Sequence, residues 1–273
     1  MRISLLPAEW LQTYCRRRGL AAINDSTPGI IRYPRTALIK WLSAHLCERL
    51  NRPSALAIEV RDLKDEREAR HIILSRVRDF VSLAGTLVRD RDFIVECLLA
   101  ASRESDPELY GHQVRVSVLC SEMAKEMGLP EEELSLAGLL HDFGKIGIPK
   151  EILNKLGAWT ESEMRMRPIH LQIAMTVVGA IESLADVARV LRFNHYYNGY
   201  PEGIISEDIP LEGQVLSAAD YYDALTNPRP SRNGAVFAPR AALAEVEARR
   251  HKPGVKTPYD PRIIAVLEKL VLS

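Results

Sequence analysis

The sequence predicts an all-α protein, on the evidence of helical periodicity, helix boundary signals and composition. From about residue 90 onwards, apolar residues recur at steps of three and four, which is the spacing of one buried helix face. Prolines and glycines interrupt this pattern where helices are expected to begin and end. With 47% hydrophobic and 26% charged residues, the composition is that of an ordinary globular chain and excludes a collagen-like, largely disordered or disulfide-scaffold protein.

The chain has 273 residues, more than a typical single domain needs, so we expect two parts. Residues 1–88 are predicted to form a smaller, mostly helical segment with a regulatory or dimerisation role. Within it, residues 36–50 have an amphipathic helix pattern, and the apolar stretch 55–60 fits either a short strand or a helix. Residues 64–80 are highly charged with an apolar stripe, which suggests a connecting helix with a dimerisation or signalling role. Residues 89–273 are predicted to form a helical bundle.

Boundary signals locate the first helices of this bundle. A helix whose apolar face runs from Val116 to Met127 is predicted to end at Gly128-Leu129-Pro130. Pro130, followed by three glutamates, begins the next helix with acidic residues at its positive end.

The later helices follow from similar signals. Thr160 and Glu163 form a capping box for a helix that carries His170, and Pro168 is expected to kink that helix. Further helices are predicted over residues 181–191, just before His195, and over residues 211–225, 240–250 and 261–271.

Charge and targeting signals narrow the function classes. Lysine plus arginine and aspartate plus glutamate both number 36, so no global basic field is available to bind a nucleic-acid polymer. No apolar run approaches the ~18 residues that a membrane span needs, and Pro7 and Glu9 interrupt any signal peptide. We therefore expect a cytoplasmic protein with no membrane partner. Its four cysteines are far apart in sequence and are interpreted as reduced thiols: Cys15, Cys47, Cys97 and Cys120.

Histidines and aspartates suggest where the chemistry lies. His141-Asp142 follows the apolar run LAGLL, where burying a charge costs several kcal/mol unless a metal or a partner compensates. Imidazoles and carboxylates without cysteine ligands fit a hydrolytic site for Mn or Fe better than a structural zinc site. Taken alone, each histidine is more typical of a surface or packed position than of a metal ligand, and Asp220 or Asp223 alone fits an ordinary cap or surface acid. The four histidines concerned are His112, His141, His170 and His195.

Several motifs then occur in a recognisable order. LLHDFGKIGIPKEIL is preceded by GHQVRV and followed by a helix that carries a histidine, a loop that contains YP, and AADYYDALTNPRPSR. Gly254 and the YDP of residues 259–261 come last. Residues 90–270 thereby resemble the HD-GYP family, a branch of the HD metal-dependent phosphohydrolase superfamily. The resemblance implies an all-helical domain with a two- or three-metal iron or manganese centre that hydrolyses cyclic di-GMP to pGpG or GMP.

The resemblance also implies a metal-ligand set. His141 and Asp142 match the HD pair, and Asp142 is the natural bridging carboxylate. Glu108 lies where family members with three metals have a glutamate, although a surface position beside Asp106 is an equal alternative. The implied ligands of two or three divalent ions, Fe or Mn, are Glu108, His112, His141, Asp142, His170, His195 and Asp220.

Basic residues are implied to recognise phosphate. Lys145 matches the lysine of HDxGK, and Arg229 and Arg232 match the basic pair of RPYR; the alternative is a solvated loop or salt bridges. The resemblance thus assigns catalytic roles to Asp142 and Lys145. Substrate binding is assigned to Lys145, Tyr200, Arg229 and Arg232.

The chain departs from the family pattern in one region. NHYYNGYPEG is shorter than the family's HHExxDGxGYP, with Asn194 in place of the first histidine and Tyr196 in place of the glutamate. An amide oxygen is a poorer ligand than an imidazole for a transition metal, so a third metal position is in question. Ser231 also replaces the tyrosine of RPYR.

The resulting prediction is a phosphodiesterase in which a metal-activated water hydrolyses cyclic di-GMP. One alternative is a catalytically weak domain that acts as a cyclic-dinucleotide sensor or as a scaffold for partners such as diguanylate cyclase domains. Another is a phosphohydrolase for cyclic GMP-AMP, a linear dinucleotide or a nucleotide monoester. A purely structural helical protein would require the ordered motifs to be accidental.

Overall fold

The computed structural model describes residues 91–148, 168–195, 209–228, 234–249 and 259–272, together with single residues 44, 153, 155, 160 and 161. These ranges contain eight α-helices, two 3-10 helices and no strand, which confirms the predicted all-α class. The predicted N-terminal segment, residues 1–88, and its boundary with the bundle lie outside the described ranges, apart from the helical residue Ala44.

The helices follow one another in a simple order along the chain. None of the described helices is both long and apolar enough to cross a membrane. Their bounds are α1 Arg91–Ser105, α2 Pro107–Met127, α3 Glu131–Leu140, α4 Ile169–Gly179, α5 Ala185–Leu191, α6 Leu211–Thr226, α7 Pro239–Ala248 and α8 Pro261–Leu272, with 3-10 helices at Phe143–Gly147 and Glu182–Leu184.

Capping explains the bounds of α2. The Asp106 carboxylate accepts hydrogen bonds from the backbone N–H groups of Glu108 and Leu109 at 2.9 and 3.1 Å, which satisfies two donors that the first turn leaves free. At the other end, Gly128 adopts a left-handed conformation with φ 65°, which favours glycine. The predicted end of this helix and the start of α3 after Pro130 are confirmed.

The helix that carries His170, α4, begins at Ile169, directly after Pro168. The predicted kink at Pro168 depends on the residues before it and stays a prediction. Proline has no N–H to donate and its ring clashes with the preceding turn, so a proline is better tolerated at a helix start than inside one. Its carbonyl oxygen instead accepts the N–H groups of Leu171 and Gln172 at 3.2 and 3.4 Å. Residues 162–167, and with them the predicted capping box, lie outside the described residues.

Helix α2 is central to the described bundle, because α1, α3, α6 and α8 all pack against it. Its inward face is fully buried at Val116, Cys120 and Met123. The facing residues of α3 and α6, among them Leu134 and Leu216, are also fully buried. Helices that are distant in sequence therefore pack side by side on α2. This packing brings polar side chains of different helices close to one another.

Two glycines allow close approaches of the backbone next to His141 and Asp142. A Cβ at Gly138 would lie 2.6 Å from Ser117 Cα, so only glycine permits α3 to cross α2 at this distance. A Cβ at Gly144 would lie 1.8 Å from the carbonyl oxygen of His170. The 3-10 helix after Asp142 therefore packs directly on the start of α4, which brings Asp142 and His170 together.

We expect Gly144→Ala to destabilise the domain by about 2 kcal/mol, because overpacking against backbone forces a main-chain shift. Urea unfolding of the metal-free protein measures this effect. Gly179→Ala is the matched control, since its new Cβ would meet only the Ala188 side chain at an ordinary 3.6 Å. Equal unfolding midpoints for the two variants would contradict the packing argument.

Candidate metal centre

Four side chains from three parts of the chain form a first donor group. His112 comes from α2, His141 and Asp142 from the end of α3, and Asp220 from α6. His112 Nε2 lies 3.2 Å from Asp220 Oδ1 and 3.4 Å from Asp142 Oδ2. His141 Nε2 lies 3.2 Å from His112 Nε2 and 3.3 Å from Asp142 Oδ2. One ligand atom from each residue lies within 4.8 Å of all the others.

A second donor group shares Asp142 and adds His170 and His195. The Nε2 atoms of the two histidines are 2.9 Å apart, and His170 Nε2 is 3.6 Å from Asp142 Oδ1. Asp142 therefore directs Oδ2 to the first group and Oδ1 to the second. This is the arrangement that a carboxylate needs in order to bridge two metal ions.

The donor set fits a divalent metal ion. Asp142 is 1% exposed, and its Oδ1 accepts no hydrogen bond from the described residues. A buried carboxylate oxygen without a hydrogen bond is costly, and a cation would offset that cost. All donors are imidazole nitrogens or carboxylate oxygens, which suits ions such as Fe and Mn. The protein thus has a divalent-metal site.

Fixed charges keep the carboxylates of this site ionised. Burial alone would raise the pKa of Asp142, but the Lys145 ammonium, which donates to Oδ2, and the adjacent imidazoles hold it well below its usual range. Burial likewise opposes ionisation of Asp220, yet its hydrogen bond with His112 keeps its pKa well below its usual range. Both groups are therefore available as anionic ligands at neutral pH.

The histidines respond to their surroundings in opposite directions. Burial lowers the pKa of His112, but hydrogen bonds to Asp142, Asp220 and Asp223 outweigh it and raise the pKa to about 9. Burial and the nearby His170 lower the pKa of His195 to about 3. His195 is therefore in the neutral form that binds metals, whereas His112 must lose a proton first.

The ring of His141 is oriented by its own helix. Its Nδ1 lies 2.8 Å from the carbonyl oxygen of Gly138 and donates a hydrogen bond to it. An imidazole that donates through Nδ1 presents the lone pair of Nε2 to a metal. Gly138 therefore sets both the helix crossing and the orientation of this ligand.

Sequence reasoning missed two residues beside His112. The Asp223 carboxylate is 5% exposed and lies 2.6 Å from His112 Nδ1, so it is neither a cap nor a surface acid. Arg115 donates to it through Nε and Nη2 at 2.7 and 3.0 Å. The signal was helical spacing, because Asp223 is one turn from Asp220 and Arg115 is one turn from His112.

Other predicted residues are not brought into the donor groups. Glu108 is exposed in the first turn of α2 and belongs to neither group, so its metal role stays a prediction. The predicted substrate-binding residues Tyr200, Arg229 and Arg232 lie outside the described residues. Lys145 is described; its ammonium donates to Asp142 while its side chain stays partly exposed.

Asn194, which replaces a family histidine, is buried beside the second group. Its Nδ2 lies 3.4 Å from His195 Nε2, and its Oδ1 has no hydrogen-bond partner among the described residues. The amide therefore occupies space next to a metal-binding imidazole, although it belongs to neither donor group.

Comparison with known proteins identifies the class. A family model described as an HD domain matches residues 97–263, and the chain therefore belongs to the HD domain family. A cyclic di-GMP phosphodiesterase response regulator of Xanthomonas campestris is 34% identical over 56% of this chain and 41% of its own length. A cyclic di-GMP phosphodiesterase of Thermotoga maritima is 31% identical over 65% of this chain and 48% of its own length.

These relatives confirm the HD-GYP branch that the motifs predicted. A 3'3'-cGAMP-specific phosphodiesterase of Vibrio cholerae is also similar, at 30% identity over 65% of this chain and 39% of the relative. The chain thus spans less than half the length of each of these three relatives.

We expect binding of the first metal ion near neutral pH to release about one proton from the protein. The reason is that His112 is protonated before metal binds, whereas only a neutral imidazole is a ligand. Metal affinity should accordingly fall as pH falls. Calorimetric titration of metal-free protein with Mn(II), in two buffers of different ionisation enthalpy, measures the released protons. Equal heats in the two buffers would contradict this prediction.

Proposed function

We propose that this chain is a metal-dependent phosphodiesterase that hydrolyses cyclic di-GMP to pGpG or GMP. The observation that carries the proposal is the convergence of two donor groups on the single buried carboxylate of Asp142, in a chain of the HD domain family. Relatives named as cyclic di-GMP phosphodiesterases support this substrate.

We assign two metal ions, Fe or Mn, to the centre. His112, His141, Asp142 and Asp220 would hold the first, and Asp142, His170 and His195 would hold the second. The exposed side chain of Glu108 gives no support to a third ion. Asn194 lies beside His195 and would offer only a weak ligand at the second position.

When bound, the ions would act as Lewis acids that activate a water molecule for attack on a phosphodiester phosphorus. Asp142 would hold both positions at a constant separation, since burial and its contacts leave it little freedom. Lys145 would offset the charge that develops on the phosphoryl oxygens. Its side chain is 23% exposed, so the ammonium can contact a ligand while it remains close to Asp142. Tyr200, Arg229 and Arg232 would complete the substrate site.

Another cyclic dinucleotide is a second candidate substrate. The Vibrio cholerae relative is named for 3'3'-cGAMP, and its similarity covers as much of this chain as that of the Thermotoga maritima relative. The two dinucleotides differ in one base, which the metal centre does not contact in the chemical step. Residues of the substrate site would therefore decide between them.

A binding role without efficient turnover is the alternative, and the buried Asn194 beside His195 favours it. In that role the domain would act as a sensor or scaffold in the cytoplasm. Its partners would be a second copy of the chain, paired through residues 1–88, and signalling proteins such as diguanylate cyclase domains.

We expect protein reconstituted anaerobically with Fe(II) or Mn(II) to convert cyclic di-GMP to pGpG or GMP, and Asp142→Ala to reduce turnover on the order of a thousandfold or more. Chromatography separates the products, and 3'3'-cGAMP is assayed in parallel. Asp186→Asn is the control, because it removes an exposed carboxylate paired with Arg189 on α5. Bound cyclic di-GMP without product, at full metal content, would instead support the sensor.

Metal stoichiometry tests the two-ion assignment separately. We expect elemental analysis to find about two ions per wild-type chain and about one in His170→Ala, because that change removes a ligand of the second position only. Two ions retained in His170→Ala, or a single ion in the wild type, would contradict the assignment.

A further inference from the structure

We infer that Asp223 and Arg115 are positioning residues that orient His112 as a metal ligand. Neither residue belongs to a donor group. Asp223 contacts the ring nitrogen of His112 that faces away from the donors, and Arg115 donates to Asp223. The inference rests on the metal centre of the proposed function and extends to residues beyond its ligands.

The two nitrogens of His112 have different neighbours. Nε2 faces the donors, at 3.2 Å from both Asp220 Oδ1 and His141 Nε2. Nδ1 faces Asp223 Oδ2 at 2.6 Å. A carboxylate at Nδ1 retains the proton there, so the lone pair is on Nε2, where a metal would bind. Asp223 thus selects the ring orientation and the tautomer that the first metal position needs.

Asp223 is itself held from several directions. Arg115 approaches it side-on, with Nε 2.7 Å from Oδ1 and Nη2 3.0 Å from Oδ2. Asn227, one turn further along α6, donates from Nδ2 to Oδ1 at 2.9 Å. A planar guanidinium with two parallel bonds fixes the direction of a carboxylate, which one ammonium cannot do. The orientation of the Asp223 carboxylate is therefore fixed by contacts other than the one with His112.

Helix register makes the arrangement possible. His112 and Arg115 lie one turn apart on α2, and Asp220 and Asp223 lie one turn apart on α6, which packs against α2. His112 thus meets both aspartates, one through each ring nitrogen, while Arg115 reaches only the second. The contact between α2 and α6 thus supplies both a metal ligand, Asp220, and the carboxylate that orients His112, Asp223.

The decisive variant is Asp223→Asn, which retains the shape of the side chain and removes its charge. We expect the dissociation constant of Mn(II) to rise about 10- to 100-fold, the effect typical of losing such a partner of a ligating histidine. Titration of metal-free protein, followed by the electron paramagnetic resonance signal of free Mn(II), measures this constant without substrate. Arg115→Met should raise it less, and Arg115→Lys less still, because the carboxylate remains while its clamp weakens.

Asp260→Asn is the matched control, because Asp260 also forms a bidentate pair with an arginine, Arg262, at 3.0 and 2.8 Å at the start of α8. It should bind Mn(II) with wild-type affinity. In Zn(II)-loaded protein, the Nδ1 proton of His112 should resonate far downfield in the wild type and lose that shift in Asp223→Asn, as the charged hydrogen bond is removed.

A merely structural ion pair would change the unfolding midpoint of the metal-free protein and leave both the Mn(II) constant and the Nδ1 resonance unchanged. That result for Asp223→Asn would overturn the inference. If this variant does not fold, Arg115→Met decides, since Arg115 is 46% exposed and its loss leaves no buried gap; wild-type Mn(II) affinity there would then overturn it. Failure of the hydrolysis assay would not affect these readouts, so the two proposals fail separately.

Discussion

The carboxylate of Asp142 is 1% exposed and ionised, and removing such a charge from water costs several kcal/mol unless other charges compensate. The first turn after α3 supplies the ammonium of Lys145, and three imidazoles from α2, α3 and α4 surround its two oxygens. Three buried histidines of the described core contact this one carboxylate: His112, His141 and His170. Buried charges add no stability to a hydrophobic bundle unless they bind a ligand. The fold therefore places these charged side chains together for binding.

Several backbone features follow from the need to surround that carboxylate. Gly138 lets α3 approach α2 closely enough for His141 and His112 to place their Nε2 atoms 3.2 Å apart. Gly144 lets the 3-10 helix pack directly on the start of α4, where His170 occupies the first turn. These two glycines contribute no ligand atom, but each reduces the distance between segments that do.

Helical periodicity predicted the α-helical class and most helix bounds because the buried faces of α2, α3 and α6 are apolar at regular spacing. At Pro168 the pattern alone does not distinguish a kink from a helix start, and the predicted kink there stays a prediction. Six of the seven implied ligands converge, and they were found because motif order carries information about which helices meet. Asp223 and Arg115 were missed for the converse reason, since an acid and an arginine on helices are ordinary until the partner helix is known. Glu108, one turn from His112 along α2, is exposed and belongs to neither donor group, so its role as a ligand stays a prediction.

The charges of the centre show how a chain of zero net charge could attract the anionic substrate that we propose for it. Three carboxylates, those of Asp142, Asp220 and Asp223, contact two fixed cations, Lys145 and Arg115, and a His112 that is protonated before metal binds. Among these side chains the positive and negative charges balance, so the buried site is stable without a large uncompensated charge. Two divalent ions that replace the His112 proton would change this balance to an excess of positive charge. Because the formal charges of the chain sum to zero and salt screens charges over about 10 Å, that attraction would act at short distance. This is consistent with the proposed small phosphodiester rather than a long nucleic-acid polymer.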